Sequence, residues 1–208
     1  MTKSRLLKLF QHIPSLTTSR LTLRRMCPTD DRDMFEYASQ PCVTEYLLWS
    51  PHESVYRTRQ YLEALQASYR RGEFYDWALV LTESGKMVGT CGFTSFDHEH
   101  GRAEVGYVLN PSYWGRGLAA EAVMAVTGFA FSELEMNRVE AHFIEGNERS
   151  RRVMEKCGMT FEGMFRQYMF IKGYYRNIGI CAVTSDQFTG KNCFRYATAG
   201  GWFSKHIG

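Results

Sequence analysis

The 208-residue sequence predicts a mixed α/β domain of the α+β kind, with a central, mostly antiparallel sheet flanked by helices. Three observations carry this. Strand-like alternation and helical spacing succeed one another along one chain. Three consecutive strand-like runs, 77–81, 87–96 and 103–109, are joined by the turn-forming stretches ESGK and DHEHGR, which marks an antiparallel meander. A helical stretch from about Leu118 to Leu134 is apolar on nearly every side. Its one narrow stripe of polar or small residues is Glu121, Ala125, Gly128 and Ser132, so it packs against a sheet.

The elements follow in order. Residues 20–26 (RLTLRRM) alternate with Leu21 and Leu23 on one face and read as a strand. CPTDDRDMFEYA opens a helix, with Thr29 and the acids placed to cap free N–H groups. Ser50-Pro51-His52-Glu53 has the form of a capping box, and Val55, Thr58, Leu62, Leu65 and Tyr69 then recur at helical spacing. After the meander and the apolar helix, which should end near Asn137, RVEAHFIE reads as a strand. NERSRRVMEKCG is a short helix opened by Asn147 and closed by Gly158. Strands 166–171 and 176–184 flank a KGYY turn. No internal repeat or long linker divides the chain, so residues 1–185 form one domain with its core at about 18–184, and 186–208 are a tail of undefined order.

Composition narrows the function. A net charge of +3 falls short of a dedicated nucleic-acid binder, and no direct nucleic-acid binding is expected, although residues 1–29 hold six basic residues and no acid. That leader reads as solvated. Six cysteines, Cys27, Cys42, Cys91, Cys157, Cys181 and Cys193, lack metal-finger spacing and fit a reducing, cytoplasmic setting. No apolar run has the length of a membrane span. His98 and His100 lie in a turn with two acids and read as solvated, so no metal is assigned.

The stretch NPSYWGRGLAAEAVMAV, 110–126, sets Gly115 and Gly117 between a strand and a helix. Such a junction exposes unpaired N–H groups and the positive end of a helix dipole, an attractive seat for a pyrophosphate. A plain glycine turn is an equal reading of the glycines alone. No P-loop lysine follows, and Ala120 stands where a dinucleotide fingerprint needs its third glycine.

The stretches AEVGYVLNPSYWGRGLAAEA and NERSRRVMEKCGMTFEGMFR resemble the GNAT superfamily of N-acetyltransferases, within it the branch of ribosomal-protein N-terminal acetyltransferases. The resemblance covers about residues 18–184 and leaves the tail out. It implies acetyl-CoA as co-substrate, gripped by the loop Trp114, Gly115, Arg116, Gly117, Leu118 and Ala119, with Trp114 departing from the usual Gln or Arg. It implies that Tyr107, Val108 and Leu109 run beside the acyl arm, that a backbone N–H near Tyr107 or Val108 holds the oxyanion, and that Asn147 bonds the pantetheine amides.

Glu104 shares a strand face with Gly106, which would leave room for an acceptor to reach it. With the resemblance it becomes the candidate base, because an ammonium must lose its proton before it can attack. Ser150 faces inward with Val153, Met154 and Cys157 and is the candidate acid for the leaving thiolate, with Tyr107, Tyr168, Tyr174 and Tyr175 as rivals. A cysteine acyl-enzyme built on Cys91 or Cys157 with His142 is the less favoured route, since nothing in the spacing pairs them. The acceptor implied is a protein or peptide N-terminus, with a small amine, or a sensor without turnover, as alternatives. Oligomeric state is not readable, and a homodimer stays open.

Overall fold

The computed structural model of the chain describes residues 3–190, 194–198 and 201–203. In chain order the elements are α1 (Lys3–Gln11), β1 (Ser15–Thr17), β2 (Leu21–Arg24), α2 (Asp31–Ala38), α3 (Pro41–Thr44), α4 (Val55–Arg71), β3 (Asp76–Leu81), β4 (Met87–Asp97) and β5 (Arg102–Leu109). They continue as α5 (Leu118–Ser132), β6 (Arg138–Ile144), α6 (Glu148–Lys156), β7 (Thr160–Ile171), β8 (Tyr174–Thr184), β9 (Arg195–Thr198) and β10 (Gly201–Phe203). Among the described residues all strands join one sheet in the order β10-β9-β1-β2-β3-β4-β5-β6-β8-β7.

The strands from β2 to β5 pair antiparallel, as short links require. Between β5 and β6 the chain crosses over through α5 and the pairing becomes parallel. That register covers Arg102↔Arg138, Ala103↔Val139 and Glu104↔Glu140 and then stops. Past Glu104 the two strands splay, and among the described residues no strand pairs with β5 on the side that faces β6. α5 lies over the sheet with Phe129 edge-on to Trp77 at 5.8 Å, and Ala122, Val123, Val126 and Ala130 are fully buried. On the other face α4 buries Thr58, Leu62, Leu65 and Tyr69, the residues its spacing singled out.

Several expectations are corrected. The leader does not run free: residues 3–11 form α1, and Phe10 is fully buried against Tyr75, Trp77, Phe93 and Phe96. A nine-residue helix with one large aromatic anchor is too short for periodicity to reveal. α4 starts at Val55, where the Ser54 hydroxyl accepts from the Arg57 N–H at 3.2 Å, so Ser50 is not the cap. Pro51 holds its predecessor away from helical geometry. Thr29 does not cap either; Asp30 accepts from the Cys27 N–H at 2.8 Å and is clamped by Arg24. α5 ends at Ser132, short of Leu134 and Asn137. β7 begins at Thr160, six positions before the expected start, and Tyr174 and Tyr175 belong to β8, leaving only Lys172 and Gly173 to turn. Within the tail, β9 pairs with β1 and β10 with β9, extending the sheet. Cys193 lies outside the described residues.

Candidate active site

The junction 110–117 is built from both ends. Asn110, fully buried, accepts from the Ser112 N–H at 3.0 Å and donates to Glu36 at 2.9 Å, anchoring the end of β5. A short 3-10 turn, Pro111–Tyr113, leads to Trp114, whose indole N–H donates to the Leu109 carbonyl at 2.8 Å. Gly115 (φ 77°) and Gly117 (φ 79°) both sit in the left-handed region, where a side chain is strained. α5 then begins with a turn of N–H groups that no helical carbonyl can take.

The loop is braced from the turn between β1 and β2. The Glu121 carboxylate accepts from the Thr18 and Ser19 hydroxyls at 2.6 and 3.0 Å, the Arg20 N–H at 2.9 Å and Arg20 Nε at 2.7 Å. Desolvation pushes its pKa up, but the Thr18 and Arg20 bonds outweigh that and hold it below the usual carboxylate range. Arg20 Nη1 donates to the Arg116 carbonyl at 2.9 Å, tying the loop to that turn. Sequence reading missed Arg20 and Asn110, because their role lies in distant contacts and not in spacing.

One cavity of about 660 Å³ opens at this loop. Tyr107, Val108, Leu109, Trp114, Gly115, Gly117, Leu118, Ala119, Asn147 and Ser150 all line it, so ten of the sequence-predicted positions meet there. Arg116 does not; its guanidinium stacks on Tyr113, 5.0 Å from the ring centre. Val43, Tyr46 and Leu47 make a wall that sequence reading did not assign, and among the lining residues three cations, Arg149, Arg152 and Lys156, outnumber two acids, Glu45 and Glu148. Free N–H groups, a net positive lining and apolar walls fit a long anionic thioester cofactor.

Asn147 caps α6, accepting from the Ser150 N–H at 3.2 Å. The Ser150 hydroxyl lies 2.8 Å from the Tyr107 hydroxyl, which also lies 2.9 Å from the Ser150 carbonyl. Burial holds the Tyr107 hydroxyl above the usual tyrosine range, so it stays protonated. Tyr168, Tyr174 and Tyr175 are exposed on the β7/β8 hairpin and do not line this cavity.

Glu104 lies outside the cavity lining, at the root of the splay. The Ser95 hydroxyl donates to its Oε2 at 3.3 Å, and His142 Nδ1 lies 3.4 Å from its Oε1. The room expected over Gly106 is taken: a Cβ there would meet the Thr94 methyl at 2.8 Å. Cys91 is fully buried, and burial pushes its thiol well up, which disfavours the thiolate an acyl-enzyme needs.

Comparison with known proteins agrees with this architecture. The Acetyltransferase (GNAT) domain matches residues 20–160. The N-acetyltransferase p20 of Bacillus licheniformis, itself uncharacterized, is 32% identical over 176 residues, 85% of this chain and 99% of its own. YdaF of Bacillus subtilis, named as a ribosomal N-acetyltransferase, is 26% identical over 82% of this chain and 94% of its own. Spermidine N(1)-acetyltransferase of Escherichia coli is 30% identical over a shorter stretch, 47% of this chain and 53% of its own. The chain belongs to the GNAT acetyltransferases and is an acetyl-CoA-dependent N-acetyltransferase.

Proposed function

We propose that the acceptor is a protein or peptide N-terminal α-amine, such as that of a ribosomal protein, acetylated by direct attack in a ternary complex. The observation that best supports this reading is the single cavity shared by the N–H cradle at 115–119 and the Tyr107–Ser150 hydroxyl pair, with Glu104 outside its lining at the last paired position of β5 and β6. Acetyl-CoA supplies an activated acyl group. The cradle, with Trp114 and Asn147, orients it; β5 from Tyr107 to Leu109 aligns the thioester and offers a backbone N–H to the developing oxyanion. Glu104 takes the proton of the incoming ammonium, directly or through water. Ser150, backed by Tyr107, returns a proton to the departing sulfur.

Two features support a peptide over a polyamine. Likeness to YdaF runs nearly the whole length of both chains, whereas likeness to the spermidine enzyme covers about half of each. The β7/β8 hairpin beside the cavity is tied to α3 by Lys172 Nζ, which donates to the Thr44 carbonyl at 2.6 Å. Residues 163–178 of that hairpin hold Arg166, Lys172 and Arg176 and no acid, which repels a polycation. They expose Phe165, Tyr168 and Phe170, on which a peptide can pack.

A thiol-release screen with acetyl-CoA against alanine- and serine-initiated peptides, spermidine and free amino acids tests this. Turnover is expected with peptides; turnover with spermidine alone moves the assignment to small amines, and acetyl-CoA binding without release to any amine makes the protein a sensor. Glu104→Gln should lower kcat about 10²-fold to 10⁴-fold with acetyl-CoA affinity retained. An unchanged kcat removes Glu104 from the reaction.

A further inference from the structure

The parallel register of β5 and β6 ends at Glu104↔Glu140, and two positions further on the same face of β6 stands His142. Its Nδ1 is 3.4 Å from Glu104 Oε1, and its Nε2 is 3.6 Å from Glu140 Oε1. The Nε2 is buried and has no hydrogen-bond partner among the described residues. All three side chains are largely covered, 18% to 24% exposed.

The surroundings leave His142 as the group positioned to answer a change of charge on Glu104. Glu140 is already engaged by Arg138 Nε at 3.0 Å, and Arg138 turns its other nitrogens to Glu162 of β7. Arg102, on the strand of Glu104, is held by Asp97 at 2.7 Å. On the β8 side the partner of His142 is the uncharged Ile180. From β4 the Ser95 hydroxyl reaches the Glu104 carboxylate, and the Thr94 hydroxyl donates to the Glu104 carbonyl at 3.4 Å.

We propose that His142 is the positioning residue of Glu104: it holds the carboxylate at the root of the splay and shares the proton that Glu104 takes from the acceptor. A neutral imidazole has one N–H and one lone pair, so it can donate to Glu104 or to Glu140 but not to both. With Nδ1–H toward Glu104 it orients the carboxylate. In the other tautomer, reached by exchange with solvent before the acceptor binds, the single hydrogen is on Nε2 facing Glu140, and the Nδ1 lone pair takes up the proton that the ammonium has given to Glu104, leaving a neutral amine to attack. The Glu104 carboxylate is thereby restored, and the proton leaves to solvent after product departs. The restored carboxylate takes the second proton, lost by the nitrogen after attack, and passes it to solvent, from which Ser150 regains the proton it gives to sulfur, so one proton is released per turnover.

This rests on the reading of Glu104 as base, and the experiment separates the two. With acetyl-CoA and an alanine-initiated peptide or spermidine as the amine, His142→Gln should lower kcat about 10-fold to 100-fold, the usual cost of losing a supporting partner. KM for acetyl-CoA should not move, and the acidic limb of the pH profile should shift. On a Glu104→Gln background the same change should cost nothing more. His142→Asn, which returns an amide N–H near the Nδ1 position, should recover part of the loss. A histidine-selective ring-nitrogen titration gives an answer without turnover: the His142 curve should differ between wild-type and Glu104→Gln protein. Loss of activity in Glu104→Gln with none in His142→Gln, full additivity of the two, or identical titration curves overturns the role of His142. A harmless Glu104→Gln overturns the base instead.

Discussion

Tyr107 and Ser150 share a 2.8 Å hydroxyl contact, and who donates to whom decides which residue feeds the leaving sulfur. Tyr107 has one proton and two acceptors in reach, the Ser150 carbonyl and the Ser150 hydroxyl. If it donates to the hydroxyl, the serine proton is freed to point into the cavity, and the pair becomes a short relay in which each bond polarises the next. Burial keeps the tyrosine protonated and so suits it to the rear of such a relay. Ser150→Ala should therefore cost kcat about 10²-fold, Tyr107→Phe less, and the double variant no more than Ser150→Ala alone. Steady-state kinetics decide: a larger loss in Tyr107→Phe than in Ser150→Ala makes the tyrosine the direct donor. The inward face of Ser150 and the cap position of Asn147 were legible in the spacing of a short helix, while their roles at the site came only from the family resemblance. The tyrosine contact was not, since it joins positions 43 apart on different elements.

At the scale of elements, the loop and first turn of α5 work as one device whose geometry depends on two left-handed glycines. Around Gly115 nothing lies within 4 Å of a would-be Cβ, and at Gly117 only Arg20 Nη2 approaches, at 3.6 Å. Conformation rather than space therefore demands glycine at both. Gly117→Val should raise the Kd for acetyl-CoA at least about 10-fold, since forcing a left-handed backbone costs roughly 1–2 kcal/mol and the loop will relax away from the cradle. Calorimetric titration measures it, and an unaltered Kd would move the pyrophosphate elsewhere. This device, the meander before it and the apolar helix after it were readable because glycine, alternation and all-round hydrophobicity are local signals. α1, β1, β9 and β10 were not, for they are short pieces stabilised by pairing or by single anchors such as Phe10. The splay that defines the active site was likewise silent: a register that stops at Glu104↔Glu140 is a property of two strands and not of either one.

For the molecule as a whole, the pH dependence of stability is set by carboxyl groups displaced in opposite directions. Asp30 and Glu121 are held below their ordinary range, so each stabilises the fold above its unfolded pKa and loses that contribution as pH falls through its folded one. Asp76, at the start of β3, is the reverse. Desolvation lifts it from 3.8 to about 7 against the bonds it accepts from Thr90 and the Trp77 N–H. The folded protein keeps this proton up to about pH 7, while the unfolded chain releases it near 3.8. Between those values the folded state binds more protons, so the contribution of Asp76 is full below the window, declines as pH rises through it and is level above. An amide has no proton to release, and its oxygen still accepts from the Trp77 N–H. Asp76→Asn should accordingly gain on the wild type as pH climbs from 5 to 8, by on the order of 2 kcal/mol, because each tenfold change in proton affinity is worth about 1.4 kcal/mol. Urea unfolding of both proteins across that range measures the gain. A difference between them that stays constant with pH would mean that Asp76 titrates alike in the folded and unfolded chains, and that this half-buried carboxyl at the start of β3 is better hydrated than its raised pKa implies.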